Sequence, residues 1–174
     1  QYIGSEAIES NDWLCGWENI NGFDESLLEL VGEAREFGEK VGFAALTNPN
    51  LPLTEKVTGY ILSMISCGIS EKNYGYYPCK HPGGIAFVAL YDLPEKFFAP
   101  VDTKLFIKTI MSAISQYELD HKILVEGFLA WNGTDYHWEN NNIYAKFAEN
   151  DGQLLIRFED IGDKKRIESI DGLK

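Results

Sequence analysis

Apolar positions recur every three or four residues from Leu27 to Val41, at Leu27, Leu28, Leu30, Val31, Ala34, Phe37 and Val41. This spacing predicts an amphipathic helix capped by Asp24 and ended by Gly42. A second helical set, Val57, Tyr60, Ile61, Met64 and Ile65, follows Thr54 as its cap and stops near Gly68. Around these segments the period falls to two. Tyr2 to Ile8, Asp12 to Glu18 and Phe43 to Leu46 read as strands, and Asn48-Pro49-Asn50-Leu51-Pro52 reads as a loop. Tyr74 to Cys79 and Ile85 to Tyr91 read as a hairpin with a wide loop at His81-Pro82-Gly83-Gly84. Further on, Asp102 caps a helix carrying Leu105, Phe106, Ile110, Met111 and Ile114, and Asp120 caps another carrying Ile123, Leu124, Phe128 and Leu129. Ile143 to Ala148, Leu154 to Phe158 and Arg166 to Ile170 close the chain as a meander whose first turn is Asn150-Asp151-Gly152.

Strands that arrive in hairpins with helices inserted between them predict an α+β fold, with an antiparallel sheet and about four helices packed mainly on one face. A length of 174 residues suggests one domain over 1–174 around a single core, with two lobes hinged in the Pro94 to Pro100 stretch. No internal repeat or low-complexity tract interrupts it. The chain begins at Gln1 without a methionine, and an upstream N-terminal segment is expected to be missing.

Alternation in the strand from Asp12 places Trp13, Cys15 and Trp17 on one face and Leu14 and Gly16 on the other. Two indoles on one face either anchor a core or form a stacking platform, and the core role is the commoner one. Gly16 permits a close backbone approach on the opposite side.

An apolar fraction of 45% and an aromatic fraction of 13% allow burial to offset chain entropy, so the chain is expected to fold as a soluble protein. A net charge of -12 repels phosphate backbones and anionic lipid, which excludes nucleic acid and membrane surfaces as expected partners. The charge is uneven: residues 1 to 50 hold ten acids and two bases. Glu25, Glu29, Glu33 and Glu36 follow one another at helical spacing and form an acidic stripe. Like charges at that spacing cost a helix about 0.2–0.5 kcal/mol per pair, so the stripe is either a solvated face or a docking face for a basic protein partner.

Three cysteines, Cys15, Cys67 and Cys79, show no C-x-x-C spacing, which points to a reducing, cytoplasmic setting. No metal site is signalled, since His81, His121 and His137 lack ligand spacing, and no cofactor fingerprint accompanies Gly83-Gly84. Cys79 and His81 share a strand face without any oxyanion-hole signature, so no catalytic residue is assigned. Asn132-Gly133-Thr134 reads as a turn, although it matches a glycosylation acceptor. Trp131, Tyr136, His137 and Trp138 read as an aromatic loop that either binds a ligand or folds back as a lid.

The runs Ile3-Gly4-Ser5, Asp12-Trp13-Leu14-Cys15-Gly16-Trp17-Glu18-Asn19 and Ala34-Arg35-Glu36-Phe37-Gly38-Glu39 resemble a family of uncharacterised bacterial proteins, the domain of unknown function 6882. Tyr76-Tyr77, Asp120-His121 and Phe158-Glu159-Asp160 before Arg166-Ile167 fall in the same order. That family generally has tryptophan where this chain has Cys15, and its members carry sequence upstream of the Ile-Gly-Ser run. The resemblance implies no activity or catalytic residue.

The expected function is therefore a non-enzymatic bacterial interaction module, presenting Glu25, Glu29, Glu33 and Glu36 to a basic protein much as acidic immunity proteins meet basic toxins. The alternative is a small-molecule-binding domain or hydrolase with a cleft lined by Trp17, Tyr76, Tyr77 and His81. A third reading makes the chain a structural part of a larger protein.

Overall fold

A computed structural model describes residues 1–148 and 152–173. The fold is α+β, built from two antiparallel sheets, and the chain divides into two compact units, Gln1–Phe97 and Phe98–Lys174, with the border inside the Pro94 to Pro100 stretch. Each unit has its own hydrophobic core, where chain length alone suggested one.

The first unit contains β1 (Tyr2–Ala7), β2 (Asp12–Cys15), α1 (Glu29–Val41), α2 (Ala44–Thr47), β3 (Asn50–Pro52), α3 (Gly59–Ile69), β4 (Gly75–His81) and β5 (Gly84–Leu90). Its sheet runs β3-β2-β1-β5-β4. Ile3, Trp13, Phe87 and Ala89 from the sheet pack with Leu30 and Val31 of α1 and Leu62 of α3. Trp13 is 1% exposed and meets Phe87 edge-on at 5.6 Å. Two glycines make room for that pair. A Cβ on Gly59 would stand 2.8 Å from Trp13 Cζ3 and closer still to Phe87, and one on Gly4 would run into Trp13 and, at 2.7 Å, Leu14 O.

The strand from Asp12 ends at Cys15, and Gly16–Glu18 form one 3₁₀ turn closed by Asn19 in the left-handed region at φ 51. Gly16 lies against β1, where a Cβ would be 2.6 Å from Ile3 O. The turn takes Trp17 off the strand, so the shared face of Trp13, Cys15 and Trp17 does not exist. Asp24 caps a separate 3₁₀ turn, Glu25–Leu27, and α1 starts at Glu29. There the Gln1 side chain accepts from Leu30 N at 2.8 Å. The buried positions of α1 are Leu30, Val31, Ala34 and Gly38, while Leu27, Phe37 and Val41 are exposed.

Phe43 to Leu46 is not a strand: Ala44–Thr47 is a helical turn folded back on α1. Gly38 permits this, since a Cβ there would be 2.7 Å from Leu46 Cβ. Asn50–Pro52, expected as a loop, is an edge strand with Leu51 opposite Trp13. An edge tolerates Pro52, which has no N–H to donate. Thr58 caps α3 by accepting from Ile61 N at 3.2 Å, whereas Thr54 closes a turn with Val57. The buried side of α3 is Gly59, Leu62, Ser63 and Ser66, because small side chains fit against the sheet and Tyr60 and Met64 turn outward. The β4-β5 hairpin is tight, with His81 directly opposite Gly84.

The second unit packs α4 (Thr103–Gln116) and α5 (His121–Trp131) with a four-stranded sheet ordered β6-β7-β8-β9. Its strands are β6 (Asp135–Glu139), β7 (Asn142–Lys146), β8 (Gln153–Ile161) and β9 (Lys164–Leu173), a C-terminal meander. Asp102 and Asp120 cap the two helices as their sequence positions suggest, accepting from Leu105 N and from Lys122 N and Ile123 N. Ile143, Ala145, Leu154, Ile156 and Phe158 alternate inward against Phe106, Ile110, Val125 and Leu129. The Trp131 to Trp138 segment is not a loop: Trp131 ends α5, and Tyr136 and Trp138 lie on β6 against the core. Trp138 Nε1 donates to Glu126 Oε1 at 2.8 Å. Asn140 and Asn141, both at positive φ, make the β6-β7 turn. Asn150 and Asp151 of the expected β7-β8 turn lie outside the described residues.

Candidate functional site

The 3₁₀ turn that removes Trp17 from β2 delivers its indole to the flank of α1. Trp17 Nε1 donates to Leu46 O at 3.1 Å, which fixes the ring through α2. The Arg35 guanidinium stands over the ring, 4.2 Å from its centre, and Arg35 Nε donates to Glu39 Oε1 at 3.0 Å. Along this flank runs an open groove of about 600 Å³, lined by Trp17, Asn19, Glu25, Leu28, Glu29, Gly32, Arg35, Glu36 and Glu39. Gly32 forms its floor, where an added Cβ would meet nothing within 4 Å.

Helical geometry explains the lining. Glu29, Gly32, Glu36 and Glu39 recur at three- and four-residue spacing on α1, and Arg35 borders them one step round the helix. Glu25 joins from the preceding 3₁₀ turn. Asn19 anchors the segment between, its Nδ2 donating to Phe23 O at 2.9 Å and its Oδ1 accepting from Phe23 N at 2.7 Å. Ile20, Phe23 and Leu27 of that segment are exposed.

Four carboxylates thus share the groove with one cation that is already engaged with Glu39. Glu29 is partly offset from the other side, where Lys72 Nζ approaches at 3.5 Å and Gln1 Nε2 donates at 3.4 Å. Tyr74 and Glu29 beside it hold the Lys72 ammonium above its ordinary pKa. The carboxylates are strung along the groove rather than gathered, and among the described residues no group of three or more His, Cys, Asp or Glu could hold a metal ion.

The acidic stripe read from the sequence is therefore divided. Glu25, Glu29 and Glu36 line the groove, while Glu33 is exposed on α1 outside it, toward Lys72 and Tyr74. Glu39, Arg35 and Gly32 are additions that the stripe did not include; the i,i+4 pair of Arg35 and Glu39 was the available signal.

The second candidate set does not come together. Tyr76 and Tyr77 are successive residues of β4, so they face opposite sides of the sheet. Tyr76 packs with the core, and Tyr77 is 59% exposed. His81, also exposed, ends the strand with its Nδ1 accepting from Gly83 N at 3.2 Å. Trp17 lies beyond β2, separated from β4 by β1 and β5 in the sheet order.

The three thiols are free and half-buried. Burial pushes the Cys15 thiol up, and burial pushes Cys67 up to about 11. Neither is a nucleophile at neutral pH. Asn132 is 6% exposed, with its amide bonded to both backbone groups of Val101 and to Thr134 Oγ1, so its side chain is committed within the fold.

The chain belongs to the family of unknown function DUF6882, whose model matches residues 1–93, nearly the whole first unit. The resembling residues between Asp120 and Ile167 lie outside that match. No curated protein and no solved structure matches the chain. No helix among the described residues is long and apolar enough to cross a membrane.

Proposed function

We propose that this protein is a non-enzymatic interaction module of a bacterial cytoplasm, and that its α1 groove receives a basic segment of a protein partner. The observation that carries this reading is the stack of Arg35 on Trp17 within a groove bearing four carboxylates. Arg35 covers the indole and engages Glu39, so Glu25, Glu29 and Glu36 along the same wall are the acceptors an incoming basic side chain meets. Exposed Ile20, Phe23 and Leu27 supply apolar surface on the segment leading into α1. A basic partner with an apolar residue next to its cations suits both parts, in the manner of an immunity protein and a basic toxin. Free thiols fit a reducing compartment.

The test is recovery of the partner on immobilised protein at low and high salt, with Glu29→Lys/Glu36→Lys compared with Glu33→Lys. Loss of recovery in the double variant and retention in Glu33→Lys is expected. Equal recovery by all three proteins contradicts the reading.

A further inference from the structure

His121 opens α5 and is 9% exposed. Its Nδ1 accepts a hydrogen bond at 3.0 Å from the backbone N–H of Ile167, a residue of β9 whose side chain packs on the core of the second unit. An imidazole can accept at Nδ1 only while that nitrogen is unprotonated. The contact therefore requires the neutral ring with its proton on Nε2.

The charges around it are unequal. From β9, Arg166 lies beside the ring with its Nη1 donating to Leu119 O at 2.6 Å, and Lys164 Nζ reaches Glu118 Oε1 at 3.4 Å on the approach to α5. From the α5 side, Asp120 is the carboxylate that faces His121, and its Oδ1 is already shared between Lys122 N and Ile123 N as the helix cap. Protonating Nδ1 would set two donors against each other, in a site flanked by a guanidinium.

We propose that His121 is an acid-sensitive latch that holds β9 on α5 when neutral and releases it when protonated. Burial first, and then Arg166, lower the His121 pKa from its ordinary 6.5, with Asp120 opposing. The open state therefore binds the proton more readily than the closed one. By linkage the latch is fully set above pH 6.5 and is lost as the pH falls through the lower pKa of the closed state. Release would strip Ile167 N–H of its acceptor beside the irregularity of the β8-β9 pairing, while the pairs with β8 on either side remain. The device lies in the second unit.

Amide hydrogen exchange followed by NMR tests it, with rates divided by their intrinsic values from about pH 7.5 to about pH 5. In the wild-type chain, protection of the Ile167 amide should decline as the pH falls below 6.5 while that of Leu129 in the middle of the core persists. His121→Asn supplies a carbonyl acceptor that does not titrate, and its Ile167 protection should stay flat. The ¹⁵N shifts of the wild-type imidazole give an independent reading and should show the Nε2-protonated tautomer at about pH 7.5. Equal loss in both proteins, or a proton on Nδ1 at the higher pH, would overturn the proposal.

Discussion

The Arg35 guanidinium lies over Trp17, 4.2 Å from the ring centre, while its Nε is bound to Glu39, so one side chain joins the aromatic and acidic parts of the groove. The same indole is fixed from below by its bond to Leu46 O. Trp17→Phe keeps an aromatic face but removes the donor, leaving a partly buried carbonyl unmet. It should lower unfolding free energy by about 1 kcal/mol in urea titrations. The ring of Phe also holds Arg35 less firmly, which loosens the groove wall, so partner affinity should fall as well.

Two glycines of the helices should respond to the same substitution with opposite signs. Gly32 sits in α1 facing open space, and Gly32→Ala should raise stability by up to about 1 kcal/mol through helix propensity. The added methyl projects into the groove floor, so partner binding should weaken although the fold is firmer. Gly59 opens α3 against Phe87 and Trp13, and Gly59→Ala should destabilise by about 1–3 kcal/mol through overpacking. Urea midpoints of the two variants, with unchanged slopes, check both signs.

Ser63 is 0% exposed on α3, and its hydroxyl has no hydrogen-bond partner among the described residues. Ser63→Ala removes an unmet polar group and improves helix propensity. It should raise the unfolding free energy by about 1 kcal/mol or more, read from thermal and urea denaturation.

Cys67, with its thiol pushed up to about 11, should resist alkylation. At about pH 8, roughly one molecule in a thousand carries the thiolate. Mass spectrometry after brief iodoacetamide treatment should find Cys67 unmodified in the folded chain and modified after unfolding. The linked stability has the sign of a raised acid: it is complete below the ordinary thiol pKa of 9.0 and is lost as the pH rises from there through about 11.

The sequence was most legible where a local pattern and its burial agreed. Asp102 and Asp120 cap their helices because each precedes a clean apolar repeat, and the paired runs around Pro82-Gly83 form a hairpin. Legibility failed where tertiary packing overrode the pattern. Residues 12 to 18 alternate like one strand, but the chain turns into a 3₁₀ turn at Gly16, which lies against Ile3, and that break is what places Trp17 at the groove. Ala44 to Thr47 folds as helix because Gly38 gives it a seat on α1. Of the acidic stripe, Glu25, Glu29 and Glu36 were readable as a set from spacing alone. The exclusion of Glu33 and the entry of Trp17 depend on the rotation of α1 about its axis, which no spacing records.

The most direct measurement is an NMR titration of the protein with a short tri-arginine peptide and, separately, a tri-lysine peptide of equal charge, at low and high salt. If the groove is the docking site, shifts should converge on the Trp17 indole N–H, Gly32 and Arg35. They should be larger for arginine, shrink with salt and vanish in Glu29→Lys/Glu36→Lys. Shifts spread evenly over all the acidic residues, or centred away from α1, would contradict the account.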